Sequence, residues 1–353
     1  LKYYIKAMFK SKYLPGFLIT LGVIGIVASS SNFLKKKYET NDNYDLIKDY
    51  LLNDSPLYGQ NRPKLWIHSK YDMNARKWKN FYSRNSTNLN QDYLHLTIKT
   101  IINHCGDDFN ICLIDDQSFS KLIPGWDIDL SNVANPVKHY YRNLAMTQLI
   151  YTYGGMVVPN SFICLKNLKP FYEECIHNKK PFVTQVINRT SNLQRENLGS
   201  YFIPGIDFIG AEKNDPTILE LGEYLKKLNI DGHISKEDKF LGLINHKCIE
   251  FASQDRLNVI DGKTIGVKSN RNRPILLDDL CEEAYIDLDN SAYGIYIPAD
   301  EVLSRTKYQW LANISSEALL NSKIIIAKYL KASIMDTTDE YYKNKKEKSV
   351  VTI

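Results

Sequence analysis

The stretch that most constrains this chain is one in which a helix has to stop at two glycines and give way at once to a buried strand. Residues 140–168 read YYRNLAMTQLIYTYGGMVVPNSFICLKNL. Tyr141, Leu144, Ala145, Leu149 and Thr152 fall on one face at helical spacing, and Gly154-Gly155 end the helix with residues that tolerate positive φ. Met156, Val157 and Val158 suit a buried strand, Pro159-Asn160-Ser161 interrupt it, and Phe162 to Leu165 resume an apolar run before the turn at Pro170. An amphipathic helix closed by Gly-Gly is also an ordinary helix C-cap, with no bearing on function.

The flanking segments alternate in the same way. Pro63-Lys64-Leu65-Trp66-Ile67-His68 predicts a first strand; His68 at its end either faces a ligand or is structural. Tyr93, Leu94, Leu96, Ile98, Ile101 and Ile102 form a helical stripe, and Ile111 to Ile114 form a strand that ends in Asp115-Asp116. Open α/β sheets place ligands at such strand ends. An N-cap for a helix over Gln117 to Leu122 explains the two aspartates equally well. The Asp-x-Asp at Asp127 and Asp129 lies in a loop before the wrong helix and is not counted as a metal site. Further strands are predicted at Phe182 to Ile187, Ile206 to Ala211 and Tyr293 to Ile297. Helices are predicted at Pro216 to Leu228, Lys236 to Leu243 and Ser316 to Tyr329. The acidic run from Asp278 to Asp289 reads as a solvated face or a surface for a basic partner.

The helix, Gly-Gly, strand and turn resemble the core motif of glycosyltransferase family 32 and the related capsular polysaccharide synthesis proteins. The Pro63-Lys64-Leu65-Trp66-Ile67-His68 opening resembles that family's Pro-Lys-x-Ile-His opening too. The resemblance implies a GT-A-like fold over residues 63–330: a Rossmann-like mixed sheet with flanking helices. In that family the helix carries Ala/Ser-Asp-x-x-Arg and the strand ends in Asp-x-Asp, which holds Mn²⁺ or Mg²⁺ against the diphosphate of a sugar nucleotide. Here the family's helix Asp falls on Asn143 and its Arg on Met146. Beyond Gly154-Gly155, the Asp-x-Asp positions fall on Pro159 and Ser161, with Asn160 between them. All four matched charges are absent, so the expectation is a degenerate motif with no metal, no cofactor and no catalytic residue. The alternative is a working transferase that uses a sugar nucleotide, with Mn or Mg or without metal, and relies on Asp115, Asp116 or Asp207 as substitute carboxylates.

The N-terminal part carries a different signal. After a basic segment, 1–12, residues 13–34 contain no charged side chain. Roughly 20 apolar residues cross a hydrocarbon core of about 30 Å, so one transmembrane helix is expected. Lys35-Lys36-Lys37, which looks like a stop-transfer flank, and the lack of a small-x-small site followed by a globular start favour an anchor over a removed signal. Residues 35–62 read as a polar stalk and 331–353 as a polar tail. The chain starts with Leu1. An imported organellar inner-membrane protein relieved of its presequence would begin this way, and so would a truncated one. The expected setting is therefore a single-pass membrane protein in contact with lipid and with other subunits of a membrane complex, of respiratory or ATP synthase type in the mitochondrial inner membrane. A Golgi or ER membrane is the alternative.

A formal charge of +5 spread over 353 residues leaves no basic patch that would suit nucleic acid. The six cysteines contain no C-x-x-C, so they suit either disulfides or buried thiols. Four N-x-S/T sequons, at Asn53, Asn85, Asn188 and Asn313, establish no secretory route in so Asn-rich a chain. What remains is either a silent transferase-like accessory subunit or an active membrane-anchored transferase.

Overall fold

The computed structural model describes residues 62–69, 91–188, 201–230 and 237–334. The expected basic segment, the membrane span, the stalk up to residue 61 and the tail beyond residue 334 lie outside the described residues, as do the sequons at Asn53 and Asn85. No helix among the described residues is long and apolar enough to cross a membrane.

A mixed six-stranded sheet forms the centre. In chain order its strands are β1 (Lys64–His68), β2 (Asn110–Ile114), β3 (Gly155–Val157), β5 (Phe182–Ile187), β6 (Phe202–Ala211) and β7 (Asn258–Ile260), arranged spatially as β2-β1-β3-β6-β5-β7. β1 is parallel to both β2 and β3, whereas β6 runs antiparallel to β3 and β5. The apolar run after the Pro159 turn becomes β4 (Phe162–Cys164), which leaves the main sheet to pair with β8 (Gly294–Tyr296). This mixed α/β arrangement fits the GT-A-like architecture expected.

Helix α1 (Asp92–Cys105) follows β1, short α2 (Ser118–Leu122) follows β2, and α3 (Val137–Tyr153) leads into β3. Helices α4 (Lys169–Ile176), α5 (Pro216–Ile230) and α6 (Glu237–Ser253) complete this half. One face of the sheet, through Trp66, Val157, Val183 and Ile209, packs against Leu144 and Leu149 of α3, Leu221 of α5 and Phe251 of α6. A second core joins Tyr93 and Leu96 of α1 and Ile163 of β4 to the C-terminal segments, including Leu277, Tyr308 and Leu330. The helix expected over Ser316 to Tyr329 is broken in two. One piece, α10, spans Ser316–Asn321 and the other spans 325–334, after short α7 (Leu277–Leu280), α8 (Ala299–Ser304) and α9 (Gln309–Asn313).

The two glycines do what their sequence position demands. Gly154 has φ +70° and Gly155 φ +94°. A Cβ on Gly155 would sit 2.1 Å from the Lys64 carbonyl oxygen, so only glycine lets β3 approach β1. Trp66 Nε1 donates to the Gly154 oxygen at 3.0 Å and ties the helix end to the first strand. The Gly-Gly pair is thus both a helix stop and a close-packing point, which an ordinary C-cap would not require.

Candidate active site

Because β1, β2 and β3 are parallel, their carboxyl ends open on one edge of the sheet, and a cleft lies there. It consists of two adjoining hollows of about 80 Å³ and about 140 Å³, open to solvent. His139, Asn143, Ile206, Asp207, Tyr296 and Asp300 border both. The smaller hollow is lined by Met146, Pro159, Asn160 and Ser161 as well, so the turn after β3 and the α3 residues before it meet at one place. Antiparallel β6 supplies Asp207. Its pairing sets Val157 against Ile209, and two residues further along this register brings Asp207 to the same end as Pro159.

The turn itself is already satisfied from within. Ser161 Oγ donates to the Ile297 carbonyl at 2.7 Å, and the Ile297 N–H donates back to Ser161 at 3.1 Å. Thr97 of α1 donates its hydroxyl to the Asn160 carbonyl at 2.5 Å. The Pro159 carbonyl accepts from Phe162 N–H at 3.2 Å. A divalent cation of the Mg²⁺ or Mn²⁺ type needs several oxygens free to turn toward it, preferably carboxylates. Residues 159–161 have no carboxylate, and their backbone carbonyls accept from Phe162, from Thr97 of α1 and from Ile297 just after β8, so they do not fit such an ion. Among the described residues no group of three or more His, Cys, Asp and Glu is placed to hold a metal.

The carboxylates proposed as substitutes have separate fates. Asp115 Oδ1 accepts from Gln117 N–H at 3.0 Å, from Ser118 N–H at 2.9 Å and from Ser118 Oγ at 2.7 Å. It therefore caps the turn into α2. Asp116 is gripped by Arg142, whose Nε and Nη2 each reach a different carboxylate oxygen at 2.7 Å, and His68 Nε2 lies 3.1 Å from Oδ1. Burial pushes the Asp116 carboxyl up, but the hydrogen bonds and charge from His68 and Arg142 outweigh it and hold the group well below the usual carboxylate range. His68 stacks on Phe119, with ring centroids 5.2 Å apart. Asp207 differs from both: it is exposed and forms no hydrogen bond or ion pair among the described residues. The Asp127 and Asp129 loop borders a separate hollow beside Asp115 and Asp116, where Asp129 accepts from Ser131 N–H and Oγ.

Several cleft residues were not singled out from the sequence. Arg142 sits next to Asn143 in the helix and is only 4% exposed. With His139, Asn143 and Met146 it follows the i, i+3, i+4, i+7 spacing of one helix face, which is the signal available beforehand. Glu237, in contact with His139, and Asp300 and Tyr296 come from distant segments with no local pattern.

No family model matches the chain, and no curated protein matches it. Among solved structures, the chain is similar to the apo-form glycosyltransferase GlyE of Streptococcus pneumoniae TIGR4, with TM-score 0.39 and 10% identity over 81% of this chain and 64% of that one. The match thus spans less than two thirds of GlyE. It is also similar to the galactosyltransferase LgtC in complex with donor and acceptor sugar analogs, with TM-score 0.34 and 10% identity over 72% and 96% of the two chains. A third is the PaToxG glycosyltransferase, with TM-score 0.31 and 13% identity over 86% and 98%. Likenesses this distant say nothing about chemistry, and what the cleft does follows from its own residues.

Proposed function

We propose that this chain is a GT-A-like domain of the family 32 type that no longer handles a nucleotide diphosphate and serves as a catalytically silent accessory subunit. The observation that carries this reading is the turn at 159–161, where neutral residues stand and the backbone carbonyls are hydrogen-bonded within the fold. The rest of the cleft compounds the effect. Its lining carries Asp207, Glu237 and Asp300, while its basic side chains among the described residues are Arg142, paired with Asp116, and His68 and His139, each against a carboxylate. Two like unit charges about 5 Å apart at an effective dielectric of about 20 repel by roughly 3 kcal/mol, so an uncompensated diphosphate is disfavoured here. The apolar stretch over 13–34 supports a membrane anchor, and the neutral turn favours an accessory subunit of an organellar inner-membrane complex over an enzyme of the Golgi or ER, the runner-up. The decisive experiment is titration of the purified chain with UDP- and GDP-sugars, with and without Mn²⁺, alongside a sugar-release assay. No binding and no turnover are expected; low-micromolar donor binding with turnover overturns the reading.

One observation favours a competing reading. Asp207 faces the cleft without a partner, as a carboxylate acting on a sugar would. A metal-free transferase would show turnover that Asp207→Asn removes.

A further inference from the structure

A shallow groove of about 400 Å³ that shares no residue with the cleft lies between the helix at 325–334 and the loop from Glu283 to Ile286. Ile325, Lys328, Tyr329 and Ala332 fall at i, i+3, i+4 and i+7, so one face of the helix forms one wall. Ile286 and Ile325 are buried, whereas Tyr285 in the same groove is 83% exposed. Tyrosines bordering an apolar groove are typical of a contact surface. Charge is ordered along it. Exposed Lys331 lies near the helix end. Further back, Lys328 Nζ donates to the Glu283 carbonyl at 2.9 Å and Ile325 N–H to the Glu282 carbonyl at 2.9 Å, which places the two exposed glutamates progressively deeper along the helix.

The residues that follow this helix match that order. Residues 335–353 read MDTTDEYYKNKKEKSVVTI, in which Tyr341-Tyr342 come after Asp336, Asp339 and Glu340 and before Lys343, Lys345 and Lys346. A chain that reverses at the helix end meets the lysines first and the glutamates later, so an acidic stretch followed by a basic one pairs opposite charges in turn. The reach suffices as well. Residues 335–340 separate the helix from the tyrosine pair; about four residues make a reversal, and the groove face from Ile325 to Ala332 is about 10 Å long, which about three extended residues span.

We propose that residues 336–346 turn back and lie in this groove, with Tyr341 and Tyr342 against Tyr285 and Tyr329, the acidic residues toward Lys331 and Lys328, and the lysines toward Glu283 and Glu282. The tether holds the segment at an effective concentration of about millimolar, so contacts too weak to retain a free peptide are populated within one chain. Exposed ion pairs each contribute little, which leaves the tyrosines as the anchor and the charges as what sets direction. The inference is independent of what the cleft does.

The test is hydrogen exchange read by mass spectrometry on the full chain, on the chain ended at Ile334 and on surface variants. Loop 283–286 and residues 336–346 are expected to exchange at least fivefold more slowly in the full chain than in Tyr285→Ser. Ending the chain at Ile334 should speed the loop by the same factor. Glu282→Lys with Glu283→Lys should remove the protection, and adding Lys343→Glu with Lys345→Glu should restore it, a rescue that simple damage to the loop would not allow. The substituted groove positions are exposed, so unchanged exchange in β1 is expected and serves as the control for folding. Loop protection that survives removal of residues 335–353, an unprotected 336–346 in the full chain, or failure of the charge-swap rescue would each overturn the proposal. So would protection that fades on hundredfold dilution, because the occupant would then be a second copy.

Discussion

Two neighbouring strand ends make the instructive contrast in this molecule. After β2 come Asp115 and Asp116, two carboxylates at the position where an open α/β sheet places ligands. After β3 come Pro159, Asn160 and Ser161, which are neutral. On charge alone the first end is the site and the second is dead. The structure reverses part of that ranking. Both aspartates are engaged in holding the fold, one by capping α2 and the other by clamping α3 through Arg142, while the neutral turn lines the cleft beside the exposed Asp207. The lesson is that a polar group at a strand end matters to a ligand only through the hydrogen-bonding capacity the fold leaves unused.

The strongest way to break this contrast is to free Asp116. Arg142→Ala strips a partly buried carboxylate of its bidentate partner, a change that costs up to about 3 kcal/mol, below the roughly 3–5 kcal/mol of fully buried pairs. Urea unfolding should show a loss of that order. A loss below about 1 kcal/mol would mean that the pair is not structural and would return Asp116 to the list of ligand groups. The pH dependence sharpens the same point. The Asp116 carboxyl is held below its unfolded value of about 3.9, so its stabilisation is complete above that pH and disappears as the pH falls through the depressed folded value. Wild type should therefore lose stability steadily below about pH 4, and Arg142→Ala should show a shallower acid slope.

At the other strand end, Ser161→Ala removes the donor to the Ile297 carbonyl and should cost about 1–3 kcal/mol, read as a lower thermal midpoint. Ser161→Asp tests the metal question directly. It should destabilise the domain by placing a carboxylate against a backbone carbonyl, and it should not create Mn²⁺ affinity, since Pro159 provides no second ligand. A Mn²⁺ site in the micromolar range would show that the turn can reopen toward the cleft.

Asp115→Ala should cost about 1 kcal/mol, the usual worth of a helix cap, with no effect on any cleft ligand. The smallest stability effect is expected at Asp207→Asn. This group is exposed and unpaired, so the change should stay within about 0.5 kcal/mol while altering binding in the cleft. A large destabilisation there would identify Asp207 as a structural carboxylate after all.

Much of the architecture was legible before any coordinates, because it is recorded locally. The helical stripe of α1, the apolar β2 and the Gly-Gly stop each follow from residues within one element, where period and backbone freedom leave few choices. The break between Asn321 and residue 325 was missed, since an apolar stripe at helical spacing runs across it. So was Arg142: it occupies a position with no charge in the family pattern, and its importance depends on Asp116, 26 residues away. The dual role of the cleft walls was equally hidden, since β6, α6 and α8 deliver Asp207, Glu237 and Asp300 from three separate segments.

What the amino-acid order determined by itself was the alternation of helices and strands, the glycine pair that lets β3 lie against β1, and the neutral side chains at positions 159 and 161. Those outcomes depend on steric freedom, hydrophobic period and side-chain chemistry, all of which act over a few residues. Only the tertiary structure decided which polar groups still had bonding capacity to offer. Whether Asp115, Asp116 or Asp207 can meet a ligand depends on which donors the fold has brought within about 3 Å, and those donors are set by packing between segments far apart in the chain.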